Sequence, residues 1–550
     1  MSAEPWLITA TPPTPNGDLH LGHLSGPYLA ADILGRHLRR RAPGATTMTG
    51  IDDNQSYTEA HAVREGTKAA DVARWFGDRI VDAWEGAGVR FDVIGRPDQA
   101  PHHAHLTRRI FRTLVDRGDI VPRVRPLPYC VPCDRWAFEA YVVGSCPHCG
   151  TRSCGNACEV CGRPNDCADL GDPRCTVCGA ACELRDCERL YFPLARHVSP
   201  LRRFWSQVRM NSHLTALCAE MAADGLPEIA VSHPATWGVE VPVEEFPGHR
   251  VYVWFEMAAG YLAAGADGTG HPGVWRPGRR VAQCFGYDNG YFHAVLFPAI
   301  MHAYDPDVPL PTDFISNEFY RLDGEKFSTS RRHAVWLLDA LETTPADHLR
   351  LYLTWTRPVA AQTTFTWAGM RTVLYDDVFP RWRGWLTGLG RRCGKAAAND
   401  GDGGPPTVWG RSADRRVREL RALTADTLRV VDEAYSVERF SPHTAVRALD
   451  LLVRAAEETG DDAEHLTGRL RFHDIFARAV HAELAVAAVL SAGLYPVAPE
   501  LGDQLWKALG HPGSAGEIRW NTLGPDMATE LKAGDLVGAC PLLTPGRAHG

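Results

Sequence analysis

The sequence predicts an α/β protein: a doubly wound parallel sheet, interrupted by a cysteine-rich insertion and followed by a mainly helical C-terminal region. Three observations carry that prediction. Short strand patterns alternate with helical ones at the N-terminus and again beyond residue 250, four Cys-x-x-Cys pairs crowd into one stretch between them, and strand signals become few after residue 367. Strand–helix alternation is the pattern of a parallel sheet with helices on its faces, whose ligands bind beyond the carboxyl ends of the strands.

Taken in order, residues 6–11 read as a short buried strand, followed by a Pro/Gly/Asn loop and by helical periodicity over 21–40. A second strand fits 45–50, and helical periodicity resumes over 57–89. The cysteine block and the segment to about residue 250 read as an insertion, because sheet signals resume after it with a strand over 280–286 and a helix over 291–303. Further on the patterns are helical, as in 416–458 and 469–491; the Gly/Asp/Ala/Pro stretch 394–406 reads as an exposed loop. The domains expected are therefore 1–120 and 251–366 as two halves of the sheet domain, 121–250 as the insertion with metal knuckles at about 128–190, 367–510 as a helical domain and 511–550 as a tail.

At 550 residues the chain is long enough for several cores, and 45% hydrophobic with 23% charged residues is the balance of a soluble globular protein. No apolar run approaches the roughly 18 residues that span a bilayer. The chain opens Met-Ser-Ala-Glu-Pro-Trp with no apolar leader, so a cytoplasmic protein without a membrane partner is expected. A formal net charge of -8 gives no global attraction to nucleic acid, so RNA binding would need a local basic patch. Lys68, Lys326, Lys395, Lys507 and Lys532 are the only lysines, which makes a lysine inside a motif stand out.

The pairs Cys130/Cys133, Cys146/Cys149, Cys158/Cys161 and Cys175/Cys178 supply eight thiolates. A Cys-x-x-Cys turn brings two sulfurs to one metal at about 2.3 Å, and two such knuckles close a tetrahedral shell, so two structural Zn²⁺ sites are expected. The alternative, a disulfide framework, needs an oxidising compartment and usually a short secreted chain. Cys154, Cys167, Cys182 and Cys187 fall outside the pairs, as a third site or as spare thiols. His102, His103 and His105 read as a helix surface rather than a metal site. The stretch Gly390 to Lys395 looks like a phosphate loop, but its glycine spacing is one residue short and no strand precedes it.

The loop after the first strand runs Pro12-Pro13-Thr14-Pro15-Asn16-Gly17-Asp18-Leu19-His20-Leu21-Gly22-His23. Two histidines at a helix start share one face, where the helix dipole favours anions, and Gly22 lets a flat base or phosphate approach the backbone. A second loop, Asp323-Gly324-Glu325-Lys326-Phe327-Ser328-Thr329-Ser330, combines a rare lysine with hydroxyls, which suits a departing pyrophosphate. In this order around a cysteine-knuckled insertion, the two motifs resemble the signatures of class I aminoacyl-tRNA synthetases, specifically the methionyl-tRNA synthetase family. His20-Leu-Gly-His23 is similar to its HIGH signature and Lys326-Phe-Ser-Thr-Ser330 to its KMSKS signature; Trp237-Gly-Val-Glu-Val-Pro242, Tyr252-Val-Trp-Phe-Glu256, Phe285-Gly-Tyr-Asp288 and Tyr291-Phe-His293 add to the match. The resemblance covers roughly residues 5–390 well and the helical remainder loosely.

The resemblance implies a Rossmann-type catalytic domain, a connective peptide with zinc knuckles and an anticodon-binding-like helical domain. It also implies the knuckle pairing: Cys146/Cys149 with Cys158/Cys161 on one zinc, Cys130/Cys133 with Cys175/Cys178 on the other. The implied reaction is ATP plus an amino acid to an aminoacyl-adenylate, then acyl transfer to tRNA, with Mg²⁺ accompanying ATP. His20 and His23 would contact the transferring phosphate, Lys326 and Ser328 the leaving pyrophosphate; Asn16, Gly17, Gly22, Thr329 and Ser330 would line the nucleotide, with Gly286 and Asp288 at its ribose. Asp52, with Asp53 as a substitute, would hold the α-ammonium in a pocket with Pro12, Thr14, Trp254, Tyr261, Asn289, His293 and Phe297.

Three departures from the family pattern bear on function. Thr329 stands where the signature has its second lysine, leaving pyrophosphate to Lys326 and Arg331 or Arg332. Pro12, Thr14, Met257-Ala258, Asn289 and Phe297 alter the methionine pocket, and an amide such as Asn289, if it faces the pocket, needs a partner that a thioether supplies poorly. The segment 455–464, where the family carries anticodon-stacking residues, is acidic and has no aromatic side chain. Two further readings therefore stand beside tRNA charging: a tRNA-independent ligase joining a non-methionine amino acid to a small-molecule acceptor, and a catalytically retired zinc- and RNA-binding paralogue.

Overall fold

The computed structural model describes residues 5–41, 44–264, 273–327, 333–359, 361–398, 415–464, 473–527, 536, 538 and 540–543. The chain divides into two compact units: Met1–Leu19, Ala45–Ala83 and Arg90–Phe319 form the first, and His20–Gly44, Trp84–Val89 and Tyr320–Gly550 the second.

The first unit is built on a five-stranded parallel sheet, ordered Asp313–Asn317, Arg280–Gly286, Trp6–Ala10, Thr46–Gly50, Val93–Gly95. Trp6–Ala10 and Thr46–Gly50 are buried along nearly their whole length, as strands covered on both faces are. The two outer strands carried no sequence signal: Val93–Gly95 is three residues long, and Asp313-Phe-Ile-Ser-Asn317 lacks apolar alternation. The expected helix over 57–89 is two, Ser56–Glu65 and Ala69–Gly86, separated because Gly66 ends the first in a left-handed conformation at φ 66°.

Within the insertion, Val121–Cys130 pairs antiparallel with Glu183–Pro193, flanked by Glu228–Ala230 and Arg135–Trp136. Pro122, Pro126 and Pro128 fall in the strand at alternate positions, on a side where Arg135–Trp136 pairs only with Tyr129 and Cys130, so their missing N–H groups break no ladder. A second small sheet, Arg152–Ser153, Val142–Ser145 and Gly171–Cys175, carries the Cys146/Cys149 and Cys175/Cys178 turns.

In the second unit the helix expected over 21–40 is interrupted. Leu21–His23 leads into a π-turn at Leu24–Tyr28, where Gly26 leaves helical geometry beside Pro27, and the helix resumes over Leu29–Arg41. Carbonyls freed by the kink need donors, and Arg357 Nη1 donates to the carbonyls of Ser25 and Gly26 at 2.6 and 2.8 Å. The stretch 416–458 likewise divides into Arg415–Ala434 and Pro442–Glu464, with Pro442 opening the second helix. Residues 394–398, expected in a loop, are the last turn of helix Phe379–Ala398, whose Lys-Ala-Ala-Ala end favours helix over the glycines before it; 399–406 lie outside the described residues.

One expectation is corrected by the helix His473–Leu494. Its stretch Ile475–Leu494 is long and apolar enough to cross a membrane, but most of it is buried inside the protein. It packs against Arg415–Ala434, Pro442–Glu464 and Pro499–Ala508, and at its middle Glu483 accepts from Arg392 Nε at 2.9 Å and Trp385 Nε1 at 3.0 Å. Being enclosed on several sides makes a helix apolar around its circumference.

Candidate active-site residues and cysteine knuckles

The histidine motif lies in the second unit. His20 is the N-cap of Leu21–His23, and the two histidines cap each other: the His23 N–H donates to His20 Nδ1 at 3.3 Å, and the His20 N–H to His23 Nδ1 at 3.2 Å. Their rings stack at 3.6 Å, and Phe327 stacks on His20 at 4.7 Å. Burial pushes both imidazoles down, His23 to about 4 and His20 well below its usual range, with His23 and Lys326 adding to the effect on His20. Both rings are therefore neutral near pH 7, and because each Nδ1 accepts, each proton sits on Nε2. The result is two stacked N–H donors. Gly22 was expected to admit a ligand, but a Cβ there would meet the His20 ring at 3.0 Å and Phe327 at 3.1 Å, so the room it leaves is taken by its own motif partners.

Lys326 ends a tight hairpin in which Tyr320–Leu322 pairs with Glu325–Lys326. The turn between them uses left-handed Asp323 (φ 49°) and Gly324 (φ 85°), the Asp-Gly chemistry that two-residue hairpins require. Phe327 follows directly, so the hairpin brings the lysine motif to His20. Ser328, Thr329, Ser330, Arg331 and Arg332 lie outside the described residues.

The first unit carries the other group of expected residues. Asp52 follows strand Thr46–Gly50, its N–H donates to the Pro13 carbonyl at 2.9 Å, and Trp237 Nε1 donates to the Asp53 carbonyl at 3.0 Å. Asp52 is buried, and desolvation followed by the neighbouring Glu256 carboxylate pushes its carboxyl well above the usual range. Asp52, Pro12 and Tyr261 share a cavity with Met48, Ile51, His103, Glu256 and Met257. Glu256 Oε1 accepts from Asn54 Nδ2 at 2.7 Å and lies 2.8 Å from His103 Nε2. The expected surface cluster is thereby corrected: on helix Pro101–Asp116 His105 is exposed, but His103, two residues away, faces inward.

Trp254 stacks on Phe292 at 3.5 Å, and Phe297 lies within 6.3 Å of Trp254, 5.9 Å of Tyr261 and 5.1 Å of His293. Burial lowers His293 to about 4. Its Nδ1 faces the Asn289 carbonyl at 3.0 Å and so carries the proton, leaving Nε2 to accept from the Tyr261 hydroxyl at 3.1 Å. Asn289 thus contributes through its backbone. Its side chain is half-buried on the turn Tyr287–Asn289 and does not line the Asp52 cavity; neither do Thr14, Trp254, His293 and Phe297. Asn16 and Gly17 are half-buried in the loop before His20, the Asn16 N–H donating to Thr14 O at 3.0 Å. Gly286 has no room for a side chain, because a Cβ would come within 2.5 Å of the Asp288 carboxylate.

The eight knuckle cysteines gather as two sets of four: Cys130, Cys133, Cys175 and Cys178, and Cys146, Cys149, Cys158 and Cys161. Sulfur separations of 3.4 Å (Cys130–Cys178), 3.9 Å (Cys133–Cys175), 3.9 Å (Cys146–Cys161) and 3.6 Å (Cys149–Cys158) are too long for disulfides. They match the edge of about 3.8 Å of a tetrahedron with 2.3 Å zinc–sulfur bonds, so both sets fit zinc. Among the described residues no third cysteine cluster gathers: Cys154 Sγ accepts from the Tyr57 hydroxyl at 3.0 Å, and Cys167 Sγ is 3.3 Å from the Gly155 carbonyl.

Glu256, His103, Asn54 and Phe327 were not singled out by sequence reasoning. Glu256 and Phe327 sit inside quoted motifs, but nothing in their spacing marks them; His103 and Asn54 meet Glu256 only through the fold.

Residues 6–382 match the family described as tRNA synthetases class I (M). Methionine--tRNA ligase of Thermomicrobium roseum is 34% identical over 380 residues, covering 67% of this chain and 65% of that protein. Methionine--tRNA ligase of Pyrobaculum calidifontis is 29% identical over 540 residues, covering 94% of this chain and 90% of that protein. In several other curated relatives the match spans only 54% of their length. In fold, the chain is similar to Mycobacterium tuberculosis methionyl-tRNA synthetase in complex with methionyl-adenylate, with TM-score 0.75, 21% identity and coverage of 95% of this chain and 96% of that one.

Proposed function

The chain belongs to the class I tRNA synthetases of the methionyl type, and from that premise we propose that it activates methionine with ATP and charges tRNA with it. A methionine carboxylate oxygen attacks the α-phosphorus of ATP, the bond to the β-phosphate oxygen breaks, and pyrophosphate leaves. A ribose hydroxyl of the tRNA end then attacks the adenylate's carbonyl carbon and AMP departs. Neither step needs a covalent enzyme intermediate, so the protein's task is positioning and charge stabilisation.

The observation that carries this reading is the mutual capping of His20 and His23, which leaves two neutral Nε2–H donors side by side. Such donors stabilise negative charge growing on the α-phosphate oxygens and carry no proton that must leave first. Lys326 is the cation for pyrophosphate, aided by Ser328, Thr329 and Ser330. Asn16 and Gly17 are assigned to the nucleotide, and Gly286 and Asp288 to its ribose. Asp52 holds the methionine ammonium; Pro12, Thr14, Trp254, Tyr261, Asn289, His293 and Phe297 are assigned to its pocket. Mg²⁺, when bound with ATP, neutralises phosphate oxygens. The two cysteine sets would each hold one zinc as closed structural sites, and a cytoplasmic location accompanies this role. The relatives named above, all methionine--tRNA ligases, favour tRNA charging over a small-molecule acceptor or a retired paralogue.

The test is ATP–pyrophosphate exchange against a panel of amino acids, followed by charging of total tRNA. Exchange supported by methionine and a stable methionyl-tRNA product are expected. Exchange with a different amino acid alone, or formation of an acylated final product in the absence of tRNA, overturns the proposal.

A further inference from the structure

Glu256 is 3% exposed and lines the same cavity as Asp52, yet only half of its carboxylate is accounted for. Oε1 takes Asn54 Nδ2 at 2.7 Å and His103 Nε2 at 2.8 Å, both from elements distant in sequence. Oε2 is buried and has no hydrogen-bond partner. A carboxylate oxygen enclosed without a donor is costly, and a fold retains one where a ligand completes it. The cavity supplies no side-chain cation for it: apart from Asp52, Glu256 and His103, its wall is Pro12, Met48, Ile51, Met257 and other apolar or uncharged residues. Two carboxylates thus face one small space, and nothing in the wall except the imidazole can carry positive charge. The imidazole is already engaged on Oε1, so a donor for Oε2 must come from the ligand.

We propose that Glu256 is a second ammonium-binding residue, sharing the substrate's α-ammonium with Asp52 and oriented for it by His103 and Asn54. This rests on the activation chemistry proposed above and names a residue that chemistry did not include. An ammonium has three N–H donors, so one carboxylate leaves donors to spare and a second can use them. His103 and Asn54 do not touch substrate in this scheme; they are positioning residues that hold Oε1 so that Oε2 turns to the cavity.

The experiment uses the full chain with Glu256→Gln, which keeps an oxygen for Asn54 and His103 and removes the charge. A charged hydrogen bond lost at a buried site should raise the methionine KM in pyrophosphate exchange by about 10- to 100-fold, while the ATP KM stays within about twofold. Calorimetric binding of methioninol, which has the ammonium and lacks the carboxylate, should weaken by the same factor; binding of 4-methylthiobutanoate, which lacks the ammonium, should not weaken. His103→Gln should give a smaller rise of the same kind. Equal loss for both probes, an unchanged methionine KM, or a parallel rise in the ATP KM overturns the assignment. A Glu256→Gln chain whose thermal midpoint collapses shows Glu256 to be structural and overturns it too, unless Glu256→Asp restores the midpoint and the split between the two probes. Absence of methionine-dependent exchange in the unsubstituted chain is a separate failure, that of the activation reading itself.

Discussion

His20 and His23 satisfy each other across three residues of chain, whereas Glu256 finds His103 and Asn54 across 153 and 202 residues. Desolvation favours the neutral form at both places, but with different partners. Burial strips the histidines of charge, and the neutral rings then serve as donors with their geometry set by their own backbone. Around Asp52 the carboxylates stay crowded together, Glu256, Glu139 and Asp53 all pushing its carboxyl up after desolvation has done so. The first arrangement is complete without a ligand. In the second, burial and neighbouring carboxyl groups hold Asp52 toward its neutral form until a cation enters, and its shape depends on distant elements.

The largest effect expected from breaking this contrast is at the local site. His20→Ala removes one donor and half of the mutual cap, and exchange should fall by about 10²- to 10³-fold with both KM values little changed. A loss confined to KM in steady-state exchange contradicts a role in the transition state. The same site predicts a pH profile: because His23 titrates near 4 rather than 6.5, kcat should show no inflection between pH 5 and 7 from either imidazole. An inflection near 6.5 that His23→Asn abolishes would mean that the pair is not held neutral.

The pocket should respond instead to its remote supports. Asn156, inside the Cys146/Cys149/Cys158/Cys161 knuckle, donates to Glu139 Oε1 at 3.3 Å; Ser56 donates to Oε2 at 2.9 Å, four residues after Asp52. Glu139 holds this position at a left-handed φ of 42°. Metal analysis should return two zinc per chain, and Cys158→Ser should return one. That variant should lower the thermal midpoint and raise the methionine KM more than the ATP KM; equal changes in the two constants would mean that the knuckle does not support the pocket.

The smallest effect is on stability. Desolvation, then Asp98, raises the Asp53 carboxyl to about 8, so its contribution is full below the ordinary carboxylate range near 4 and is lost as pH rises through 8. Asp53→Asn should therefore lose less of its thermal midpoint than the unsubstituted chain between pH 5 and 8, by roughly a few degrees. Parallel curves would show that Asp53 is ionised in the folded protein.

What was legible follows the same division. The first strands and the individual Cys-x-x-Cys turns are carried by residues close in sequence, and each was read at or near its place; the pairing of the turns was implied by the resemblance and, in one set, joins residues more than forty apart. The misreadings are where neighbours decide. A π-turn at Gly26–Pro27 is stable because Arg357 caps it, an apolar helix at Ile475–Leu494 is a core helix because other helices surround it, and a histidine among three on one helix turns inward because Glu256 waits there. The carbonyl of Asn289, on the turn Tyr287–Asn289, meets His293 Nδ1, a contact that no sequence pattern shows.

The sequence by itself determined the family, the order of the motifs and the cysteine turns of the insertion, because Cys-x-x-Cys turns, Asp-Gly hairpins and reciprocal caps draw their energy from neighbouring residues. Only the tertiary structure decided protonation and pocket chemistry. Whether an imidazole is charged, or a carboxylate oxygen lacks a partner, depends on desolvation and on side chains brought from far along the chain, and those have no local pattern to read.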